Sequence, residues 1–277
     1  MNEATVAAET VDAFHHGLFH VVQPKGRGHR SGMDAMLLAS LVADERPIRV
    51  ADFGAGAGAA GMAVASRLEG AEVLLVERSP EMADYARKSL ALTENARFAD
   101  RCRVLEADVS LTGRARLAAG LPDDSFEHVI MNPPFNDPGD RRTPDGLKAE
   151  AHAMVDDLFE SWIRTAGAVL VPGGQLSLIA RPESVAEIIA ACGRRFGGLE
   201  LTLLHPRAGE NAVRLLLTAI KGSRARLSFR APLVMHDEGT HRFSAFVDDL
   251  NNGRAAYPRR QPATSRSRIP LPLEGRG

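Results

Sequence analysis

Asn132-Pro133-Pro134-Phe135 follows the apolar run Val129-Ile130-Met131 and sets an amide and a prolyl carbonyl beside an aromatic ring. An amide oxygen and a backbone carbonyl can accept the two hydrogens of an exocyclic amine, while a phenyl ring stacks on the heterocycle that carries it. Such acceptors concentrate on nitrogen a lone pair that is otherwise delocalised into the ring. The chemistry indicated is transfer of an electrophile to a planar amine, with Asn132, Pro133 and Phe135 as catalytic candidates. Asn before two prolines is also ordinary turn punctuation, because the residue preceding a proline is driven into an extended conformation. A second constellation is needed to separate the two readings.

That constellation lies upstream. Val50-Ala51-Asp52-Phe53 turns through Gly54, Gly56 and Gly58 into an alanine-rich helical stretch beginning at Ala59. Glycines allow close backbone approach to a ligand, and a glycine turn at a helix N-terminus cradles nucleotide-like molecules. The next apolar strand ends in Glu77, whose carboxylate can accept both hydroxyls of a ribose, followed by Arg78. A third, Cys102 to Ala107, delivers Asp108 and Val109 to the same edge, where the Asp108 carboxylate can accept from an adenine amino group. Ligands in doubly wound sheets bind beyond the carboxyl ends of the strands, where these residues fall. Gly56 to Gly61 also satisfies the GxGxxG fingerprint of nicotinamide cofactors. Asp52, ahead of the glycines, separates the readings: a carboxylate there suits a cationic ligand better than a pyrophosphate. S-adenosylmethionine, with its ammonium and sulfonium, fits. The cofactor-binding candidates are therefore Asp52, Gly54, Gly56, Gly58, Glu77, Arg78, Asp108, Val109 and Asn132.

On these motifs the chain resembles the class I S-adenosylmethionine-dependent methyltransferases. More narrowly, it is similar to the bacterial family that methylates the exocyclic nitrogen of an adenine beside the anticodon of valine transfer RNA. The narrower likeness rests on the block from Gln23 to Ser40, on Ala151-His152 and on Lys221-Gly222-Ser223-Arg224. It implies a Rossmann-like α/β fold of seven strands, mostly parallel, with an antiparallel last strand. It also implies S-adenosylmethionine as cofactor and tRNA as partner. His152 matches the family pattern, with no chemical role that the residues themselves supply.

Composition sets the remaining bounds. A chain of 277 residues, 44% hydrophobic and 25% charged, is long enough for one large α/β core with an appendage. A formal net charge of −1 excludes a uniformly basic nucleic-acid binder, so any RNA surface must be a local patch. Two clusters qualify: Lys25, Arg27 and Arg30 in a glycine-rich loop with His29, and Arg141 and Arg142, with Lys148, in the polar stretch Asn136 to Glu150. Each is otherwise a solvated surface. Cys102 and Cys192 have neither metal spacing nor a disulfide framework and read as small core residues; no metal site is expected. The first twenty residues lack a basic start and apolar run, and no segment approaches ~20 apolar residues, which points to a cytoplasmic protein without membrane contact.

The elements that must position these residues follow from periodicity. Strands are expected at 48–53, 72–76, 103–106, 128–131, 175–180, 199–205 and 212–220, with helices at 34–42, 59–67, 80–92, 153–169 and 183–195. Pro172-Gly173-Gly174 is expected to separate a helix from the fifth strand. The domain reading is a lead-in over 1–45, a catalytic domain over 46–222, an extension over 223–253 and a tail over 254–277. Six arginines against Glu274 give the tail 6 − 1 = +5, with too few apolar residues to fold alone. His15 and His16 read as surface residues of a frayed terminus, and Trp162 as core.

Four alternatives share parts of this pattern. A protein-glutamine methyltransferase would use the same amine turn, and a DNA adenine methyltransferase the same chemistry. A nicotinamide oxidoreductase leaves Asp52 and the amine turn unexplained. A catalytically silent RNA-binding module would show no turnover.

Overall fold

The computed structural model describes residues 9–25, 32–44, 46–134 and 158–260. Its first element was not anticipated. β1 (Glu9–Phe14) and β2 (Phe19–Pro24) form an antiparallel hairpin rather than a frayed lead-in. Three successive residues with positive φ, His15, His16 and Gly17, close the turn. His15 is buried, contrary to the surface reading, and stands edge-on to Phe19, which is itself completely buried between Phe14 and Phe98. Burial pushes the His15 imidazole down to about 4. Burying Phe19 fully is worth about 2–3 kcal/mol, which explains why a short strand pair stays docked.

α1 (Met33–Ser40) leads into β3 (Ile48–Phe53), the glycine turn and α2 (Ala59–Arg67). β4 (Ala71–Glu77), α3 (Pro80–Leu90), a short α4 (Ala96–Ala99), β5 (Cys102–Glu106) and a short α5 (Gly113–Ala118) come next. β6 (Phe126–Met131) follows, then α6, helical over 158–169, and β7 (Leu170–Ala180). α7 (Val185–Cys192), β8 (Phe196–His205) and β9 (Arg214–Lys221) complete the expected set. α3 starts at the expected residue because Ser79 caps it, its hydroxyl accepting from Met82 N, with Pro80 in the first turn. The hairpin is fastened to this helix: Val22 N donates to Ser89 Oγ at 2.8 Å, while Asn95 brackets the backbone of His20 from both sides.

The large sheet runs β5-β4-β3-β6-β7-β9-β8, parallel except for β9, which is antiparallel to both β7 and β8. This is the class I methyltransferase order with its reversed last strand. Both faces are covered, so the strands alternate between two cores rather than between core and water. Val50, Val73, Leu75 and Ile130 face α1, α2 and α3; Ala51, Phe53, Val129 and Met131 face α6 and its neighbours. The Pro-Gly-Gly segment lies inside β7 and not before it. There the partner of Phe126 is Leu170 and that of His128 is Gln175, a wide bulge with Gly173 at positive φ.

Beyond Gly222 the extension adds β10 (Ser228–Phe229) and β11 (Leu233–Val234), both parallel to β8, and α8 (Ala245–Asn251) against α1. Residues 254–260, read from sequence as the start of a disordered tail, pack onto this layer. Tyr257 is buried, and its backbone N donates to Ser40 O at 2.8 Å. Arg254 pairs with Asp248 and Asp249 and meets His16 Nε2 at 2.6 Å, tying the extension to the hairpin turn. The apolar surface that orders this segment is supplied by α1 and β8, which a local reading of the segment does not contain.

Candidate active site

Strand register gathers the candidates. Phe53 pairs with Val76 on one side and with Met131 on the other, so the next residues, Gly54, Glu77 and Asn132, emerge together at the carboxyl edge. β5 enters in step, Glu106 opposite Glu77, and carries Asp108 two residues further. Strand order reverses between β3 and β6, and this switch point is where open α/β sheets form their ligand crevice.

The glycine turn is held from within. Gly54, Gly56 and Gly58 all have positive φ, which β-carbon-bearing residues adopt at a cost. A Cβ at Gly54 would lie 2.5 Å from Cη2 of Trp162, placing that buried indole of α6 directly against the turn. Gly61, which the sequence reading did not single out as a contact, donates its N–H to Asp52 Oδ2 at 2.8 Å. Asp52 is thereby fixed at the N-terminal end of α2. Burial raises the Asp52 carboxyl to about 7; the Gly61 N–H opposes the shift and the Glu77 charge adds to it.

Glu77 accepts from Gly56 N at 2.9 Å through Oε2 and from Ser79 N at 2.8 Å through Oε1. The glycine turn and the start of α3 are therefore clamped by the carboxylate expected to meet a ribose. Each oxygen keeps further acceptor capacity. Asp108 accepts from Ser110 N at 2.8 Å and from Ser110 Oγ at 2.6 Å through one oxygen, an Asx-type turn that orients its carboxylate. Val109 is buried and Arg78 exposed. The sequence reading did not single out Ser79 and Ser110, although a serine before proline at a helix start and Asp-x-Ser spacing carry the signal.

Asn132 differs from all of these. Its Oδ1 is buried and has no hydrogen-bond partner among the described residues. A buried amide oxygen left unpaired costs about 1–3 kcal/mol, so this acceptor at the end of β6 is matched to a donor that the described residues do not supply. Pro133 is buried beside it. Phe135, Arg27, Arg30, Arg141, Arg142 and His152 lie outside the described residues, whereas Lys25 is exposed just after β2. The two cysteines are buried, and their thiols are pushed up to about 12 by burial, which leaves them protonated and unreactive. Among the described residues no three metal-ligating side chains cluster, and no helix is long and apolar enough to cross a membrane.

Residues 31–201 match the methyltransferase small domain family. The chain belongs to that family. Its fold and crevice are those of the S-adenosylmethionine-dependent methyltransferases, and the residues present fit that cofactor: a carboxylate under a glycine turn, a second at a strand end, and a third oriented beyond the next strand. Two curated relatives are similar. The tRNA1(Val) (adenine(37)-N6)-methyltransferase of Dickeya chrysanthemi is 24% identical over 226 residues, covering 78% of this chain and 83% of that one. The ribosomal RNA large subunit methyltransferase G of Pseudoalteromonas translucida is 25% identical over 174 residues; they cover 63% of this chain but only 38% of that one. Among solved structures, a predicted O-methyltransferase of Agrobacterium tumefaciens is 66% identical with a TM-score of 0.73, covering 82% of this chain and all of that one.

Proposed function

We propose that this methyltransferase modifies the exocyclic amino group of an adenine in tRNA, next to the anticodon of valine tRNA. The observation that carries the reading is the buried Oδ1 of Asn132, without a partner among the described residues, at the edge where Gly54, Glu77 and Asp108 assemble. Bound S-adenosylmethionine supplies an electrophilic methyl group. Asp52, held by Gly61, would hold the amino acid ammonium, while Glu77 and Asp108 would accept from ribose and adenine. Asn132 Oδ1 accepts one amine hydrogen and the Pro133 carbonyl the other, which orients the nitrogen lone pair toward the methyl. Positioning alone supplies much of the acceleration in such a transfer, and the amine, acidic once methylated, then releases its proton to solvent. Extrusion of the base costs a few kcal/mol, least for an unpaired anticodon-loop base. The adenine and tRNA parts are supported by the Dickeya relative. Phe135 as the stacking platform, and Arg27, Arg30, Arg141 and Arg142 with Lys25 as phosphate contacts, belong to the same proposal, as does a cytoplasmic location.

A second reading is favoured by the 66% identical relative described as a predicted O-methyltransferase. One experiment separates them. Total tRNA from a strain lacking this gene is incubated with the protein and methyl-labelled cofactor, then digested to nucleosides. N6-methyladenosine is the expected product. Label in a ribose or other oxygen establishes the O-methyltransferase reading, and label in protein establishes the glutamine one.

A further inference from the structure

Away from the carboxyl edge, the C-terminal extension builds a second concave surface. Residues 230–233, Phe246 of α8 and residues 256–260 enclose a groove of about 510 Å³. Arg230, Arg259 and Arg260 line it, and among the described residues no acidic side chain does. Glu200 lies beneath, beside Arg230 and Tyr257, while Asp248 and Asp249 of α8 are paired with Arg254. Glu200 Oε1 lies 3.5 Å from Arg230 Nη1 and accepts from the backbone N of Arg260 at 3.2 Å. Three guanidinium groups against one carboxylate leave 3 − 1 = +2.

Arg230 shares its charge with Glu200, while Arg259 is held by neutral groups. Arg230 lies over the Tyr257 ring, its Cζ 3.6 Å from the centroid, and its buried Nε has no partner. Arg259 donates to neutral oxygens, Thr218 Oγ1 at 2.9 Å and the Gly198 carbonyl, and burial lowers its pKa. Arg260 is exposed. Phe246, 44% exposed, stands edge-on to Tyr257 at the groove wall.

We propose that this groove is a second contact for the RNA substrate: it takes one unpaired nucleotide, with the phosphate toward Arg260 and Arg259 and the base against Phe246. The proposal rests on the RNA reading above. Guanidinium forks match phosphate oxygens, and an exposed ring stacks any base without reading its sequence. In a chain of net charge −1, such a local excess of positive charge is what an RNA surface requires. The groove lies on the flank of β8, where Arg230 N donates to Leu201 O, so it would engage a part of the RNA remote from the reacting base. An acidic peptide would meet the same charge but would not use the ring.

The test uses the full chain carrying Arg260→Glu or Phe246→Ala, both changes at exposed side chains, with thermal melting as a fold check. Binding of fluorescent tRNA is followed by anisotropy across a salt series, alongside KM and kcat for tRNA and cofactor affinity. Each variant is expected to weaken tRNA binding about tenfold, with KM raised, kcat at saturating tRNA kept and cofactor affinity kept. Arg260→Glu should also lower the salt slope by about 1, and Arg260→Lys should restore it. Wild-type tRNA affinity in both variants overturns the groove and leaves the methylation reading standing. A wild-type protein that methylates no RNA overturns that reading, yet loss of tRNA binding in both variants would still support the groove. Polyglutamate that binds the wild type as tightly as tRNA, and is indifferent to Phe246→Ala, makes the groove a peptide cleft and overturns the proposal.

Discussion

The glycine turn and the amine turn sit at the ends of adjacent strands but are built on opposite principles. Around the first, Asp52 is satisfied by Gly61, Glu77 by Gly56 and Ser79, and Asp108 by Ser110. At the second, Asn132 Oδ1 is buried with nothing among the described residues to accept from. The groups proposed to bind cofactor are also members of the fold's own hydrogen-bond network, so their loss should cost stability and binding together. The amide on the acceptor side contributes nothing to the fold through that oxygen, so its loss should fall on turnover.

The sharpest way to break this contrast is Asn132→Ala. Turnover should fall by about three orders of magnitude, in the range found when one preorganised polar contact is removed, with cofactor affinity kept and the melting temperature not lowered. Parallel loss of both would make Asn132 a structural turn residue. Next in size is Gly61→Val. Even a Cβ there would lie 2.3 Å from Leu75 Cδ2 and 3.0 Å from Val73 Cγ1, and overpacking of this kind costs about 1–3 kcal/mol or more. Urea unfolding should show that loss, and cofactor binding should weaken with it.

Glu77→Gln sharpens the comparison at smaller cost, because its amide turns one acceptor into a donor facing a backbone N–H. A loss of about 1–2 kcal/mol of stability is expected, together with weaker cofactor binding, both read from melts with and without cofactor.

The smallest effect concerns Asp52. Burial lifts its carboxyl from 3.8 to about 7, so the neutral acid gains ground as pH falls below neutrality. Its contribution to stability is complete below the unfolded value and is lost as pH rises toward the folded one. A cationic ligand selects the ionised form. Cofactor affinity should therefore rise about tenfold between pH 6 and pH 8 as the ionised fraction grows, and Asp52→Asn should flatten that dependence in calorimetric titrations. Unchanged pH dependence in the variant would remove Asp52 from the ammonium site.

Local pattern was enough for much of the frame. β3 and α2 have the bounds expected from an apolar run, a glycine turn and an alanine-rich stretch, because propensity, punctuation and burial agree there. The hairpin was missed because its turn, His15-His16-Gly17, carries no standard hairpin signal and its outer strand alternates exposed with half-buried residues. The order of residues 254–260 was missed for a related reason: one tyrosine among arginines and prolines reads as polar coil until its partners are known.

What the sequence determined by itself is therefore which residues stand at the strand ends. The types and spacing of Asp52, Gly54, Gly56, Gly58, Glu77, Asp108 and Asn132 are local properties, and the parallel αβ alternation carries them to one edge without further information. Tertiary structure alone decided what those groups touch. That Glu77 closes on Gly56 and Ser79, that Trp162 seats on Gly54, and that Arg230 lies on Tyr257 are contacts between segments distant in the chain. Their energies depend on burial and direction at the meeting point, and no window of sequence contains either.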